Sequence, residues 1–588
     1  MNNKIDVNKI HYLLYQVSQP SRYVGNEWNA TIKEHQQVSL KLALAFPDLY
    51  EVGMSNLGLQ ILYHIVNQRK EFVAERVFAP GTDLEELLRR EGISLFSLET
   101  FTPLQEFDLV GFSLQYELNY TNLLNMLHLS GIPLRSSQRV EGPLIMGGGV
   151  CAFNPEPLAP FLDFLVLGDG EEIILDIMER VQKAKERGAS RKEILIELAG
   201  LDGIYVPSLY EPEYEGRRFT GIEPINPQVK LPVNKVTVDD LNEVPYPSAP
   251  IVPYKQVVHD RGVLEISRGC AKGCRFCQAG VTYRPRRHRT VENLKQLAVS
   301  VIQNTGYDEL SLASLSSSDY PSIGQLVREL STELPDWVNL SLPSLRLDSF
   351  SVQLAAEVQK KHKTSLTFAP EAGTERLRKV INKKISEDEF LEALDHAFAA
   401  GWRMIKLYYM VGLPTETDED IEAIGDMVRK VIDLYRRGGY REKLKLSVSA
   451  STFSPKAHTP FQWEPQISRQ EMRRRQKLLA KALQKMKQVD FKWHDPFTSC
   501  LEAAFSRGDR LLADVLETAW QKGCRFDNWT EYLAMEKWEE AFAEHGFSVE
   551  EYACHRFDHG DPLPWEHLSC GLSKEFFIKE HQKPQGAL

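Results

Sequence analysis

The chain lacks any apolar run near the roughly 20 residues that a membrane span needs, so no transmembrane helix is expected. Its start, "MNNKIDVNKIHYLL", has no apolar signal-peptide core before a small-residue cleavage site. Both absences lead to the expectation of a cytoplasmic protein. A net charge of -11 excludes a general cationic coat for nucleic acid, though not a local basic groove. Internal repeats and low-complexity tracts are missing as well. Cysteine is sparse, eight in 588 residues, which is too few for a disulfide framework in a reducing compartment. Five of the eight, Cys151, Cys500, Cys524, Cys554 and Cys570, are scattered and read as small buried thiols.

The other three stand together in "RGCAKGCRFC", Arg268 to Cys277. A structural zinc site closes with four ligands. Here Cys270, Cys274 and Cys277 have no fourth cysteine or histidine within ten residues after them. Three thiolates on a four-iron cube leave one iron open, and an open position is the mark of a catalytic centre.

At this length two to four domains are expected. From about Val38 to Gly170 strand and helix patterns alternate: "VSLKLALAFP", "GLQILYHIVNQR", "FDLVGFSLQY", "NYTNLLNMLHLSG", "PLIMGGG" and "FLVLGDGEE". Such alternation implies a parallel sheet covered by helices, with ligands at the carboxyl ends of the strands. Residues 227–253 are proline-rich and read as a linker over the surface. From Val263 six strand-like segments follow, most with a helix after them: "VLEIS", "ELSLASLSS", "VNLSLPSLR", "SLTFAPEAG", "MIKLYYMVGLP" and "LKLSVSASTFSP". They suggest a partial (β/α)6 barrel of the TIM kind. After about Asp490 the strand signal fades and helical periods take over. The expected division is an extension over 1–37, a doubly wound Rossmann-type domain over 38–226, the linker, a barrel over 254–490 and a small helical domain over 491–588.

The motif C-x₃-C-x-aromatic-C at the end of a first barrel strand resembles the radical S-adenosylmethionine (SAM) superfamily. "ISRGCAKGCRFCQAG" followed by "YRPRRHRTVENL" is similar to its methylthiotransferase-like branch, as are "PSLRLD", "FAPEAGTERLRKVINK" and "YYMVGLPTETDED". The likeness spans roughly Arg261 to Pro465. "PLIMGGGVCAFNPEP" and "DFLVLGDGEE" resemble the cobalamin (B12)-binding-like domain of such enzymes. The whole looks like a family of B12-domain radical SAM proteins without an assigned substrate.

The resemblance implies a [4Fe-4S] cluster on Cys270, Cys274 and Cys277, with SAM chelating the open iron. One electron from a reduced flavodoxin- or ferredoxin-type donor then breaks a carbon–sulfur bond of SAM. The radical formed modifies an unactivated carbon by methylation, methylthiolation or a related step. Phe276 takes the place of the adenine-contacting aromatic. Ser314 and Ser316 stand where the family binds the SAM amino group, although this loop is serine-rich rather than glycine-rich. Glu371 would hold the ribose or methionine end, and Gly412 and Pro414 would line the adenine. Arg284, Arg286 and Arg287 form a basic run suited to phosphate or carboxylate in the substrate. RNA is the substrate that the branch suggests. Cobalamin fits the domain type, yet the D-x-H-x-x-G motif that supplies a cobalt ligand in many such domains is missing. The only cysteine of the N-terminal domain is Cys151, and no small RNA-binding β-barrel is evident at the C-terminus; both count against a methylthiotransferase proper. The competing reading is an iron–sulfur redox or sensing protein that does not cleave SAM.

Overall fold

A computed structural model describes residues 7–343, 365–440 and 442–583. Its N-terminal sheet contains β1 (Leu40–Phe46), β2 (Phe72–Phe78), β3 (Leu109–Ser113), β4 (Leu144–Gly148), β5 (Phe164–Val166) and β6 (Ile204–Tyr205). The strands lie in the order β2-β1-β3-β4-β5-β6, with β6 alone antiparallel. The order reverses between β1 and β3, which opens a crevice at their carboxyl ends. Both faces of this sheet are covered: every residue of β2 is buried, and all but Lys41 in β1.

β2 escapes a search for apolar runs because Glu75 and Arg76 stand in its middle. Both are buried and satisfied inside. Arg76 donates to Glu99 at 2.6 Å and to Glu27 at 2.8 Å. Glu75 accepts from Ser97 at 2.5 Å and Thr100 at 2.8 Å. Glu27 belongs to the stretch expected as an extension, which instead completes this core. The helix Val7–Leu14 likewise buries Ile10, Leu13 and Leu14.

A hairpin of β7 (Tyr210–Glu215) and β8 (Arg218–Pro224) leads to β9 (Val233–Asn234) in the proline-rich stretch. That stretch is sewn into the molecule rather than laid over it. Val236 bridges Gly168, and the Val238 amide donates to Asp169 at 2.9 Å.

The barrel begins with β10 (Gly262–Glu265) and β11 (Ser267–Arg268), the latter paired antiparallel with β12 (Arg287–His288). β13 (Glu309–Ala313) and β14 (Asn339–Ser341) complete a three-stranded parallel sheet with β10. A second parallel sheet holds β15 (Leu366–Glu371), β16 (Met404–Val411), β17 (Lys445–Thr452) and β18 (Val489–Trp493). All six expected strands are present, in two sheets, and β18 is a seventh that the fading pattern after Asp490 hides. Its exposed edge position lets charged residues stand in a strand. The motif "PSLRLD" falls from Ser344 onward outside the described residues.

The C-terminal region is helical as expected, through Pro496–Arg507, Leu512–Gln521 and Met535–Glu544. Among the described residues it has no core of its own: Phe505, Leu516 and Trp538 belong to one hydrophobic cluster with the N-terminal sheet. Its tail returns as β19 (Leu568–Ser569), paired with β9.

Candidate functional site

The cysteine loop leaves β11 through Gly269, whose φ is +86°. A side chain there would bring its Cβ within 2.5 Å of the Tyr283 carbonyl, so only glycine fits. The loop is fastened on its far side. The Arg275 amide donates to the Ile381 carbonyl at 3.0 Å, and its guanidinium to Val380 at 2.7 Å. Asn382 donates to the Gly273 carbonyl at 2.8 Å, and Lys272 pairs with Asp319 at 3.0 Å. These ties join the loop after the first barrel strand to the loops after β13 and β15.

The three thiols are half-buried and free. Burial pushes Cys274 up to about 11, with Cys277, Cys270 and Glu371 adding to the rise and Lys383 opposing it. Burial also raises Cys277, whose sulfur gains some relief from the Gly280 amide. Burial thus makes Cys274 and Cys277 reluctant to ionise without metal counter-charge, which fits the thiolate ligands of an iron–sulfur cluster. Among the described residues no three such side chains converge as ligands of a single ion would. A cubane does not ask for that, because it takes each thiolate on a different iron.

The other expected SAM-site residues lie around this loop. Phe276 reaches across the mouth of the barrel and packs on a cluster that includes Ala372, Met410, Leu413, Phe453 and Phe461. Glu371 ends β15 at a register shift with φ +69°, a conformation costly for a glutamate and typical of functional positions. Burial raises its pKa, opposed by Lys383 at 3.4 Å. Ser314 accepts from the Ser316 amide at 2.9 Å, while the Ser316 hydroxyl is spent on Asp319 at 2.7 Å. The Gly412 amide donates to Glu416 at 2.7 Å. Burial brings that carboxyl up to about 7, against the pull of Arg475. This bond holds open the turn that carries Leu413 and Pro414.

The arginine run needs correcting. Arg287 is buried and paired with Asp169, and it donates to the Val238 carbonyl at 2.6 Å. It is an internal strut and has no surface with which to clamp a substrate. Arg284 bonds the Gly280 carbonyl at 2.9 Å yet remains partly exposed, and Arg286 is exposed.

Sequence reasoning missed Arg268, two residues before the first thiol. Its guanidinium meets Glu171 at 2.5 Å, Glu265 at 2.8 Å and Asp169 at 3.0 Å. Asp169 and Glu171 come from the "GDGEE" loop after β5, so this knot locks the N-terminal domain to the cysteine loop. The pairing of "SRGC" with "GDGEE" was the available signal.

Beside the knot lies a cavity of about 420 Å³. Its floor is the glycine-rich carboxyl ends of β3 and β4, its wall the apolar side chains of Ile61, Leu62, Ile174 and Ile177, and its barrel side Gly269, Tyr283 and Ser314. Gly149, at φ +118°, carries the backbone past it. The lining includes no histidine. His64 bonds Gln68 at 2.8 Å and His128 packs on Trp520, so both are ordinary helix residues.

Residues 58–207 match the family described as radical SAM proteins, N-terminal, and residues 264–428 match the radical SAM superfamily. An uncharacterized protein of Methanocaldococcus jannaschii is 28% identical over 481 residues, covering 81% of this chain and 90% of its own. A tRNA-2-methylthio-N(6)-dimethylallyladenosine synthase of Ehrlichia canis is 23% identical over 40% of this chain, and the match spans 54% of that protein. An uncharacterized methyltransferase of Pyrococcus horikoshii is 22% identical over 49% of this chain, spanning 58% of that protein. The structure of the radical SAM methyltransferase TsrM from Kitasatospora setae, with cobalamin and a [4Fe-4S] cluster bound, aligns at 15% identity and TM-score 0.46 over 70% of this chain and 75% of its own. Among the described residues no helix is long and apolar enough to cross a membrane. The thiol triad at the mouth of a partial barrel, and the two family matches on either side of the proline-rich stretch, lead to one conclusion: this chain is an enzyme of the radical SAM superfamily.

Proposed function

We propose that this enzyme methylates an unactivated carbon of RNA, with a corrinoid held in the cavity between the N-terminal domain and the barrel. When bound, the cluster and SAM supply one-electron cleavage of a carbon–sulfur bond and the radical chemistry that follows. Cys270, Cys274 and Cys277 would hold three irons and leave the fourth to SAM. Phe276 and the Gly412–Pro414 turn, which share the apolar contact at Leu413, would flank the adenine. Glu371 with Lys383, and the Ser314 hydroxyl, would take the polar ends of the molecule. The fastened cysteine loop keeps these groups fixed, which is what a protein adds to cofactor chemistry. Electrons would come from a reduced flavodoxin- or ferredoxin-type donor.

The observation that carries this reading is the triad itself, three thiols on one loop that is anchored to Val380, Ile381 and Asn382 of the second sheet's side of the barrel. The cavity supports a corrinoid through its apolar walls and its place at a topological switch point. The lining includes no histidine, so the glycine-rich floor and the apolar walls of Ile61, Leu62, Ile174 and Ile177 would hold the corrin. Methylation is favoured over methylthiolation because the N-terminal domain offers only Cys151, which is buried. RNA is favoured by the kinship with a tRNA-modifying synthase. Anaerobically reconstituted protein given SAM, reductant and cobalamin is expected to release a deoxyadenosine or demethylated product. RNA from a strain lacking the gene is expected to have lost one methylated nucleoside by mass spectrometry. An unchanged nucleoside profile contradicts RNA as the substrate.

A further inference from the structure

The lumen face of the second barrel sheet carries groups that the SAM site leaves unused. In β16, Ile405, Leu407 and Tyr409 are buried against the outer helices, whereas Met404, Lys406 and Tyr408 are exposed. β17 repeats the pattern, with Leu446, Val448 and Ala450 buried, Lys445 exposed and Ser447 and Ser449 half-buried. The register sets Lys406 beside Ser447 and Tyr408 beside Ser449. Parallel sheets are normally apolar on both faces, and closed barrels fill their interior with branched apolar side chains. This face does neither. Among the described residues, the side chains of Lys406, Tyr408, Ser447 and Ser449 make no hydrogen bond or ion pair. Lys492 is occupied by Asp490 at 3.5 Å and Glu371 by Lys383, so the free charges on the face, Lys406 and Lys445, are both positive.

Resting on the RNA reading above, we infer that this wall holds one unstacked nucleotide of the substrate. Its base lies on the Tyr408 ring, its phosphate meets Lys406, and its sugar or base edges meet Ser447 and Ser449. Strand geometry puts the four side chains on a patch of roughly 5 by 7 Å, the scale of a single base. Tyr408 stands about 10 Å along its strand from the Val411–Pro414 turn, on the way from the open lumen to the SAM site. Single-stranded RNA is read by bases splayed onto aromatic rings, a contact worth about 1–3 kcal/mol per base.

The test is fluorescence anisotropy of a short labelled single-stranded RNA on the reconstituted holoenzyme. Tyr408→Leu is expected to weaken binding about tenfold, while Tyr408→Phe, which keeps the ring, binds as the wild type does. Lys406→Gln is expected to weaken binding a few-fold and to flatten the slope of log K against log salt by about 0.7. Circular dichroism and cluster absorbance establish that each variant is folded and loaded. Absence of binding by the wild type, equal affinities for the Leu and Phe variants, or an unchanged salt slope in Lys406→Gln overturns the inference. The triple variant C270A/C274A/C277A, which has no cluster, is expected to keep the Leu–Phe difference. Failure of the wall and failure of the radical reading are therefore read apart.

Discussion

The two large parallel sheets of this chain meet water differently. In the N-terminal sheet β2 buries all seven residues, and even Glu75 and Arg76 are held inside by partners. In the second barrel sheet β16 as far as Tyr409, and β17, bury every other residue under helices and leave the alternate ones exposed or half-buried. A sheet covered on both sides can offer a ligand only the ends of its strands, which is where the glycine-rich cavity lies. A sheet covered on one side offers its ends and a wall. The N-terminal domain can thus offer a ligand only its rim, whereas the barrel can offer both its rim and its face.

The sharpest way to break that contrast is to unpair the charge inside the covered sheet. Arg76→Ala leaves Glu27 and Glu99 buried without their partner, and a loss of about 3–5 kcal/mol is expected, read as a large fall in the thermal midpoint. The seam between the two regions comes next. His458, in the loop after β17, is buried and lies 3.0 Å from the Phe153 carbonyl of the N-terminal domain. Burial lowers its pKa to about 4. Between that value and the ordinary 6.5 the unfolded chain binds the extra proton. The stability tied to the neutral ring is therefore complete above pH 6.5 and is lost as pH falls toward 4, by about 3 kcal/mol. Denaturant titrations across that range are expected to flatten in His458→Gln. A matched pair then compares the faces directly. Val110→Ser, in the covered β3, is expected to cost at least about 2 kcal/mol through a lost apolar contact and a buried hydroxyl. Ser449→Val, on the open face, is expected to change stability by no more than about 0.5 kcal/mol. Equal costs in that pair would mean that the barrel face is packed and has no room for a nucleotide.

What could be read from sequence divides along the same line. The six barrel strands and the parallel N-terminal sheet were legible because apolar periodicity reports burial directly. β2 was hidden because Arg76 and Glu75 interrupt its apolar run, and only the three-dimensional placement of Glu27, Glu99 and Ser97 explains why they are tolerated. β18 was hidden because an exposed edge strand need not be apolar. Proline content forecast an extended chain over 227–253 but not that it would be pinned by Asp169 and β19. The cysteine spacing identified the candidate centre because few chemistries need three thiolates so close. Of the arginines beside it Arg287 was misread, since a basic run carries no information on which member turns inward. Arg287 went to Asp169, where it joins the domains together with Arg268, a residue outside the run.

Radical chemistry at this site requires three protein thiolates around four irons. Mössbauer spectroscopy of isotopically enriched, anaerobically reconstituted protein, without and then with SAM, addresses it most directly. The expected result is a [4Fe-4S] cluster in which one iron of the four changes its parameters when SAM is added. Four irons indifferent to SAM, or a site that fills with zinc instead, would contradict it.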